Sequence, residues 1–277
     1  MTVDLRAILA ALGSRWPVVT GPGWAMVHGG SREVMAAMPD KCIDVFATDP
    51  PYDAITHSRG GGAVRRYDGG PDIAKIPFPP LGPPGPYADQ IARLVKRWSL
   101  VFCAVRQIEE WCLAMESAGV NVPRVIVWTK PDASPQFSGD RPGHGYEPII
   151  VAHPVGRTRW NGGGKKGVYE HLRMDRQSGF LHPTQKPLTL MMELVDDFTD
   201  PGEIVCDPFA GSGTSGVASI RRGRMFIGIE RLPLPDLPID DETNPDFFGR
   251  ACRRLAGDES RPRIEQPGLF DRPEATP

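Results

Sequence analysis

The sequence predicts an α/β protein built on a seven-stranded, mostly parallel sheet with helices on both faces. Three observations predict it. Short β-rich runs alternate with amphipathic segments between residues 24 and 255, the pattern of strand–helix–strand crossovers in a doubly wound sheet. Two of those runs end in an acid followed by proline, Asp49-Pro50 and Asp207-Pro208, where such sheets carry their sites. The 277 residues are 40% hydrophobic and 24% charged, which suits a globular chain with room for a sizeable core.

Taken in order, residues 1–22 form an N-terminal extension. Its first 16 residues are amphipathic, without a long apolar core or a small-residue cleavage site, and read as a short helix rather than a signal peptide. The main domain, 23–257, has expected strands at 24–28, 43–48, 100–105, 124–129, 148–152, 203–207 and 225–230. Helices are expected at 31–38, 87–98, 107–118, 187–198, 214–221 and 245–255, with Ser31 as an N-cap. Pro187 and Pro245 suit a first helical turn, where a missing N–H costs nothing.

Three segments stand outside the alternation. Residues 53–86 are rich in Gly, Pro and Arg and much longer than an ordinary connection, which marks a functional or disordered loop. Residues 153–181 contain Asn161-Gly162-Gly163-Gly164 and much of the basic charge, and 258–277 is a polar, Pro-rich flexible tail. No run approaches the roughly 18 apolar residues of a membrane span, so a cytoplasmic protein is expected.

Five cysteines (Cys42, Cys103, Cys112, Cys206 and Cys252) never form C-x-x-C and read as small hydrophobes in a reducing compartment. The six histidines form no metal-binding pattern, and no metal is expected. Net charge is −2, a weak argument against a nucleic-acid partner, but its distribution is uneven. Between 157 and 186 lie Arg157, Arg159, Lys165, Lys166, Arg173, Arg176 and Lys186 against only Glu170 and Asp175. That stretch reads either as a solvated loop or as a surface facing a polyanion.

The first chemical constellation is Asp49-Pro50-Pro51-Tyr52. The prolines delete two backbone N–H groups and leave carbonyl acceptors beside a carboxylate. A planar NH₂ group has two hydrogens to offer such acceptors, and Tyr52 offers a stacking face. On chemistry alone, a plain strand-ending turn fits equally well.

The second constellation is Asp207-Pro208-Phe209-Ala210-Gly211-Ser212-Gly213-Thr214, between a strand and a helix. Glu230 ends the next strand, 19 residues after Gly211, the arrangement that binds ribose hydroxyls. The loop has neither a Walker lysine nor a full G-x-G-x-x-G, so an adenosine-bearing ligand without phosphates fits it best.

With these motifs in this order, the chain resembles the beta-group DNA amino-methyltransferases from about Trp24 to Leu255. A third motif, His182-Pro183-Thr184-Gln185-Lys186-Pro187, adds to the resemblance. So do the strand ends Trp128-Thr129-Lys130-Pro131 and Gly145-Tyr146-Glu147-Pro148-Ile149-Ile150. It implies a circularly permuted, Rossmann-like class I methyltransferase fold, with S-adenosylmethionine as cofactor and double-stranded DNA as partner. It implies that Asp49, Pro50, Pro51 and Tyr52 hold the target base. Asp207, Pro208, Phe209, Gly211, Ser212, Gly213 and Thr214 would cradle the cofactor. Glu230 would take its ribose, and Thr184, Gln185 and Lys186 would close over the methionine end, with Lys186 facing the cofactor carboxylate.

The implied reaction is direct, site-specific methylation of adenine N6 in a flipped-out base. N4 of cytosine is the alternative, and an RNA or protein-glutamine methyltransferase or a non-catalytic DNA-binding relative stands behind it. Arg59, Arg65 and Arg66 in the long loop and Arg157, Arg159, Lys165, Lys166, Arg173 and Arg176 in the target-recognition segment are the expected DNA contacts. A homodimer is a further implication of the resemblance. The tail's Gln266-Pro267-Gly268-Leu269-Phe270 resembles peptides that dock on sliding clamps, or is simply part of an unstructured end. Two departures stand out. His28-Gly29-Gly30 lacks the acid that the family carries after its first strand, and an acidic stretch at 231–243 interrupts the pattern as a surface insertion.

Overall fold

The computed structural model describes residues 5–52, 80–133, 135, 139–173, 185–231 and 246–257. In chain order the elements begin with α1 (Leu5–Leu12), β1 (Val18–Gly21), β2 (Trp24–His28), α2 (Ser31–Ala37), β3 (Ile43–Thr48), α3 (Gly85–Leu94) and β4 (Val95–Phe102). They continue with α4 (Ile108–Ser117), β5 (Val120–Thr129), β6 (Tyr146–Pro154), β7 (Val168–Glu170), α5 (Leu188–Phe198), β8 (Ile204–Asp207), α6 (Thr214–Arg221), β9 (Met225–Glu230) and α7 (Phe247–Leu255).

Among the described residues nine strands form one sheet, in the order β1-β2-β9-β8-β3-β4-β6-β5-β7. The run β2-β9-β8-β3-β4 is parallel throughout, and β7 is parallel to β5. The pairs β1/β2, β4/β6 and β5/β6 are antiparallel. The sheet is mostly parallel, as expected, but has nine strands instead of seven. The two additional strands, β1 and β7, sit at the sheet edges and have four and three residues. Runs that short carry no readable alternation, and a partner strand is what makes them extended.

Val95–Trp98 is a correction of type. The residues expected to finish a helix at 98 instead open β4, with Val95 opposite Ile43 and Trp98 opposite Val45. Lys96 pairs with Asp44 at 2.5 Å and Arg97 with Glu203 at 2.5 Å, so pairing with β3 overrides local helical tendency. Further along, β4 stops at Phe102 and a short 3₁₀ turn occupies Val105–Gln107, so the expected strand at 100–105 ends early. Ser31 is not a cap. Gly30 holds that position, and the Ser31 hydroxyl donates to the Pro208 carbonyl at 2.5 Å. Pro187 lies just before α5, and at α7 the cap is Asp246, whose carboxylate accepts from the Gly249 N–H at 2.7 Å.

Each face of the sheet buries its own core. One face packs Ile8 and Leu12 of α1, Val34 and Met35 of α2, Ile91 and Leu94 of α3, and Trp111 and Met115 of α4. The other packs Leu190 and Leu194 of α5, Val217 of α6, and Phe248 and Ala251 of α7. Each Val, Leu, Ile, Met or Phe among them contributes about 1.5–3 kcal/mol by leaving water.

The neighbours β3 and β8 therefore send their chains to opposite faces, β8 directly into α6 and β3 toward the α3 side. A crevice opens at the carboxyl ends of strands at such a switch point. No helix among the described residues is long and apolar enough to cross a membrane. Cys42, Cys103 and Cys206 are buried, and all five cysteines are free. No metal-holding group of three or more His, Cys, Asp or Glu occurs among the described residues.

Candidate active site

The two acid–proline turns meet at that switch point. Thr48, the last residue of β3, donates its hydroxyl to Asp207 Oδ1 at 2.8 Å, so the turn after β3 and the turn after β8 are bonded through side chains. Asp207 also accepts from the Phe209 N–H at 3.0 Å and from the Ser215 hydroxyl at 2.5 Å. Both of its oxygens are thus committed to the protein. Burial raises its pKa to about 6, with the Ser215 and Thr48 bonds opposing. Asp207 thus braces the two strand ends against each other and against α6.

The turn after β8 is held on every side. Gly211 (φ +51°) and Gly213 (φ +79°) take left-handed conformations that a side chain would strain. A Cβ on Gly213 would lie 3.0 Å from the Ala251 Cβ, so α7 packs directly on the turn. From the same helix the buried Arg254 guanidinium donates to the Ser212 carbonyl at 2.7 Å and the Thr214 hydroxyl at 3.1 Å. Glu230 ends the adjacent β9, where Oε2 accepts from the Gly211 N–H at 2.7 Å and Oε1 from the Arg231 N–H at 2.9 Å. Burial pushes the Glu230 carboxyl up to about 7, against the pull of those two N–H groups.

Other predicted members gather around this turn. Gln185 Oε1 accepts from the Ser212 hydroxyl at 3.3 Å. The Phe209 ring lies 5.4 Å from Tyr87 of α3, and His28 meets Phe248 edge-on at 5.9 Å. The end of β2 carries glycines where the family carries an acid, yet a Cβ on Gly30 would collide with the carboxylate of Glu33. A carboxyl group therefore does occupy that corner, supplied by α2. A glycine turn, a carboxylate at the next strand end and aromatic side chains beside them suit a nucleoside carrying ribose hydroxyls and no phosphate.

The turn after β3 is built differently. Lys186 approaches it and places Nζ 2.5 Å from Asp49 Oδ2 and 3.1 Å from Glu147 Oε2. Lys130 pairs with the other oxygen of Glu147, and the Tyr52 hydroxyl lies 3.4 Å from Oε2. The Lys186 ammonium sits 5.0 Å from the Phe102 ring centroid and 5.8 Å from that of Tyr52. Asp49 Oδ1 is buried and has no hydrogen-bond partner among the described residues. Burial raises the Asp49 pKa and Glu147 adds to it, while Lys186 and the nearby Tyr52 hydroxyl oppose. Glu147 moves the other way, down to about 2: burial works against ionisation, but two lysines outweigh it. Pro50 is buried and Pro51 half-buried beside them.

Lys186 thus pairs with Asp49 and Glu147, whereas the resemblance had it facing the cofactor carboxylate. Sequence reasoning assigned no role to Glu147, Lys130, Tyr87, Thr48 or Arg254. Lys130 and Glu147 were read only as strand ends, although a lysine and an acid at the joined ends of β5 and β6 are a pairing signal. The register Trp128↔Glu147 and Thr129↔Tyr146 brings them together.

The basic segment is largely neutralised by acids from elsewhere. Arg159 pairs with Asp200 at 3.2 Å, Lys165 with Asp197 at 2.7 Å and Glu193 at 3.1 Å, and Arg173 with Asp132. Arg157 and Lys166 are exposed with no ion-pair partner among the described residues. Arg59, Arg65, Arg66, Arg176, Thr184, all of 232–245 including Pro245, and the clamp-like peptide in 258–277 lie outside the described residues.

The DNA methylase family matches residues 43–233, more than half of the chain. YubD of Escherichia coli (strain K12) is 30% identical over 209 residues, 74% of this chain and 84% of that protein. The type II methyltransferase M2.DpnII of Streptococcus pneumoniae is 28% identical over 249 residues, 79% of this chain and 91% of that one. In fold, the chain resembles M1.HpyAVI in its SAM complex, with a TM-score of 0.61 at 24% identity over 84% of this chain and 98% of that one. The cytosine-N4-specific PvuII DNA methyltransferase has a TM-score of 0.61 at 16% identity, over 87% and 95%. The fold is that of class I methyltransferases.

Proposed function

We propose that this chain, which belongs to the N6/N4 family of DNA methylases, methylates the N6 amino group of adenine in a base flipped out of double-stranded DNA. The family makes it a DNA amino-methyltransferase with S-adenosylmethionine as cofactor. The base and the residue roles are our reading. One observation carries it: Asp49, with a buried and unpartnered Oδ1, is bonded through Thr48 and Asp207 to the turn that ends beside Glu230.

When bound, the cofactor supplies a methyl group on a sulfonium, already attached to a good leaving group. The chain's task is then alignment and charge stabilisation. Asp49 Oδ1 accepts one amino hydrogen, and its negative charge stabilises the positive charge that grows on the nitrogen. Pro50 and Pro51 present no N–H to compete for that amino group. Tyr52 stacks on the base, a contact worth about 1–3 kcal/mol, which offsets part of the few kcal/mol of flipping. The surplus proton leaves to water. Gly211, Ser212, Gly213 and Thr214 with Pro208 and Phe209 line the cofactor side, Glu230 accepts from ribose hydroxyls, and Gln185 closes the turn.

Adenine is favoured over cytosine because Asp, not Ser, opens the Pro-Pro-Tyr motif. Among the basic side chains, the exposed Arg157 and Lys166 would meet phosphates directly. Arg159, Lys165 and Arg173 must first leave their acidic partners. Mass analysis of nucleosides from DNA treated with the protein and cofactor is expected to yield N6-methyladenine; N4-methylcytosine alone would refute the base assignment.

A further inference from the structure

We propose that Glu147 is a positioning residue of the target-base site, which seats Lys186 on Asp49 Oδ2 and so keeps Asp49 Oδ1 open toward the reacting amino group. The inference rests on the role of Asp49 proposed above and deepens it.

Four charges from four parts of the chain form one neutral cluster: Asp49 after β3, Lys130 after β5, Glu147 in β6 and Lys186 before α5. Their side chains are 27%, 9%, 16% and 10% exposed. A charge removed this far from water costs several kcal/mol unless it is paired, and here each cation has a carboxylate. Lys186 has three N–H donors and two acids in reach, whereas Asp49 has two oxygens, only one of which is taken. Glu147 supplies the difference. Held at Oε1 by Lys130 and approached at Oε2 by Tyr52, it draws the second donor of Lys186 away from Asp49. Without that second acceptor, the buried ammonium would satisfy itself on both Asp49 oxygens and cover the atom that the amino group needs.

The groups facing Asp49 include Lys186, Glu147, Tyr52, Cys103 and Asp207, and those facing Glu147 include Lys130, Lys186 and His144. Among them Lys186 and Glu147 act on Asp49 with opposite sign, which yields a signature that a merely structural role lacks.

The test is the acid limb of the pH–rate profile, measured at saturating cofactor for the full chain and for Glu147→Gln and Lys186→Met. Removing the cation beside Asp49 shifts the limb up, by about one pH unit. Removing the neighbouring anion shifts it down, while kcat falls about tenfold or more and cofactor Kd is unchanged. Limbs that stay in place, or move in the same direction, overturn the proposal. A Lys186→Met chain that loses cofactor affinity with its limb unmoved would return Lys186 to the cofactor carboxylate, and the proposal would fall with it.

A second measurement does not depend on methyl transfer. The loss of Tm on Lys186→Met is expected to shrink clearly in an Asp49→Asn/Glu147→Gln background, and equal losses in both backgrounds overturn the cluster. If the unaltered chain methylates no DNA while the losses still differ, the proposed function fails and the cluster stands.

Discussion

The two turns at the switch point are neighbours bonded to one another, yet they are stabilised in opposite ways. The turn after β8 is closed: its acid has three protein donors, its Gly213 packs against α7, and Arg254 satisfies its carbonyl and hydroxyl. The turn after β3 is left unpaired at one buried atom, Asp49 Oδ1, and is held by lysines and an acid brought from distant segments. A cofactor cradle serves the same ligand in every turnover, and rigidity lowers the ordering cost of binding. A site that admits an extruded base and grips it as charge develops needs an unfilled acceptor whose surroundings are electrostatically set.

Breaking the open turn has the largest expected effect. Asp49→Ala removes the acceptor and its charge, and methyl transfer falls about 10²–10³-fold, the scale of losing one preorganised charge-stabilising group. Cofactor affinity measured by calorimetry stays put, because no contact of the β8 turn is touched. Retained transfer in that variant would remove Asp49 from the mechanism.

Breaking the closed turn acts in the reverse sense. Arg254→Met keeps the packing but strips donors from the Ser212 carbonyl and the Thr214 hydroxyl, hydrogen bonds to a charged group worth about 1.5–3 kcal/mol each. Cofactor Kd is expected to rise about tenfold, near 1.4 kcal/mol, with transfer at saturating cofactor little altered. An unchanged Kd would mean that α7 does not shape the cradle.

The mildest effect sharpens the comparison without mutation. Glu230 titrates near 7 in the folded protein against 4.5 ordinarily, and Asp207 near 6 against 3.8. Both hold protons in the folded state that the unfolded chain has released. Their contribution to stability is therefore full below the ordinary carboxyl range and lost as pH rises through about 6–7. Cofactor binding is expected to run the other way, because the proposed ribose contact needs Glu230 as a carboxylate. Affinity should weaken by up to about tenfold per unit below pH 7, while Tm does not fall in parallel. Calorimetry and thermal melts across pH 5.5–8 read both trends, and affinity flat through that range would take Glu230 out of the ribose contact.

Much of this was legible in advance, and for physical reasons. The strands that became β2, β3, β8 and β9 are apolar runs ending in acid or glycine punctuation, and buried parallel strands must look that way. The short edge strands β1 and β7 and the helix-to-strand change at Val95–Trp98 were not legible, because their conformation is decided by a partner strand. The pairing of the basic segment was hidden in the same manner. Its charge excess is real along the chain, but Asp132, Glu193, Asp197 and Asp200 come to it through space.

Residue order was enough to set the fold class, the family and the two turns, since each depends on residues within one short stretch: an acid, prolines that lack N–H groups, glycines that reach positive φ. Which acid each cation serves was settled only by folding. Lys186 lies 137 residues from Asp49 and 39 from Glu147, and no local rule couples them. Ion pairing depends on distance in space and on exclusion of water, and both of those arise only once the sheet has assembled.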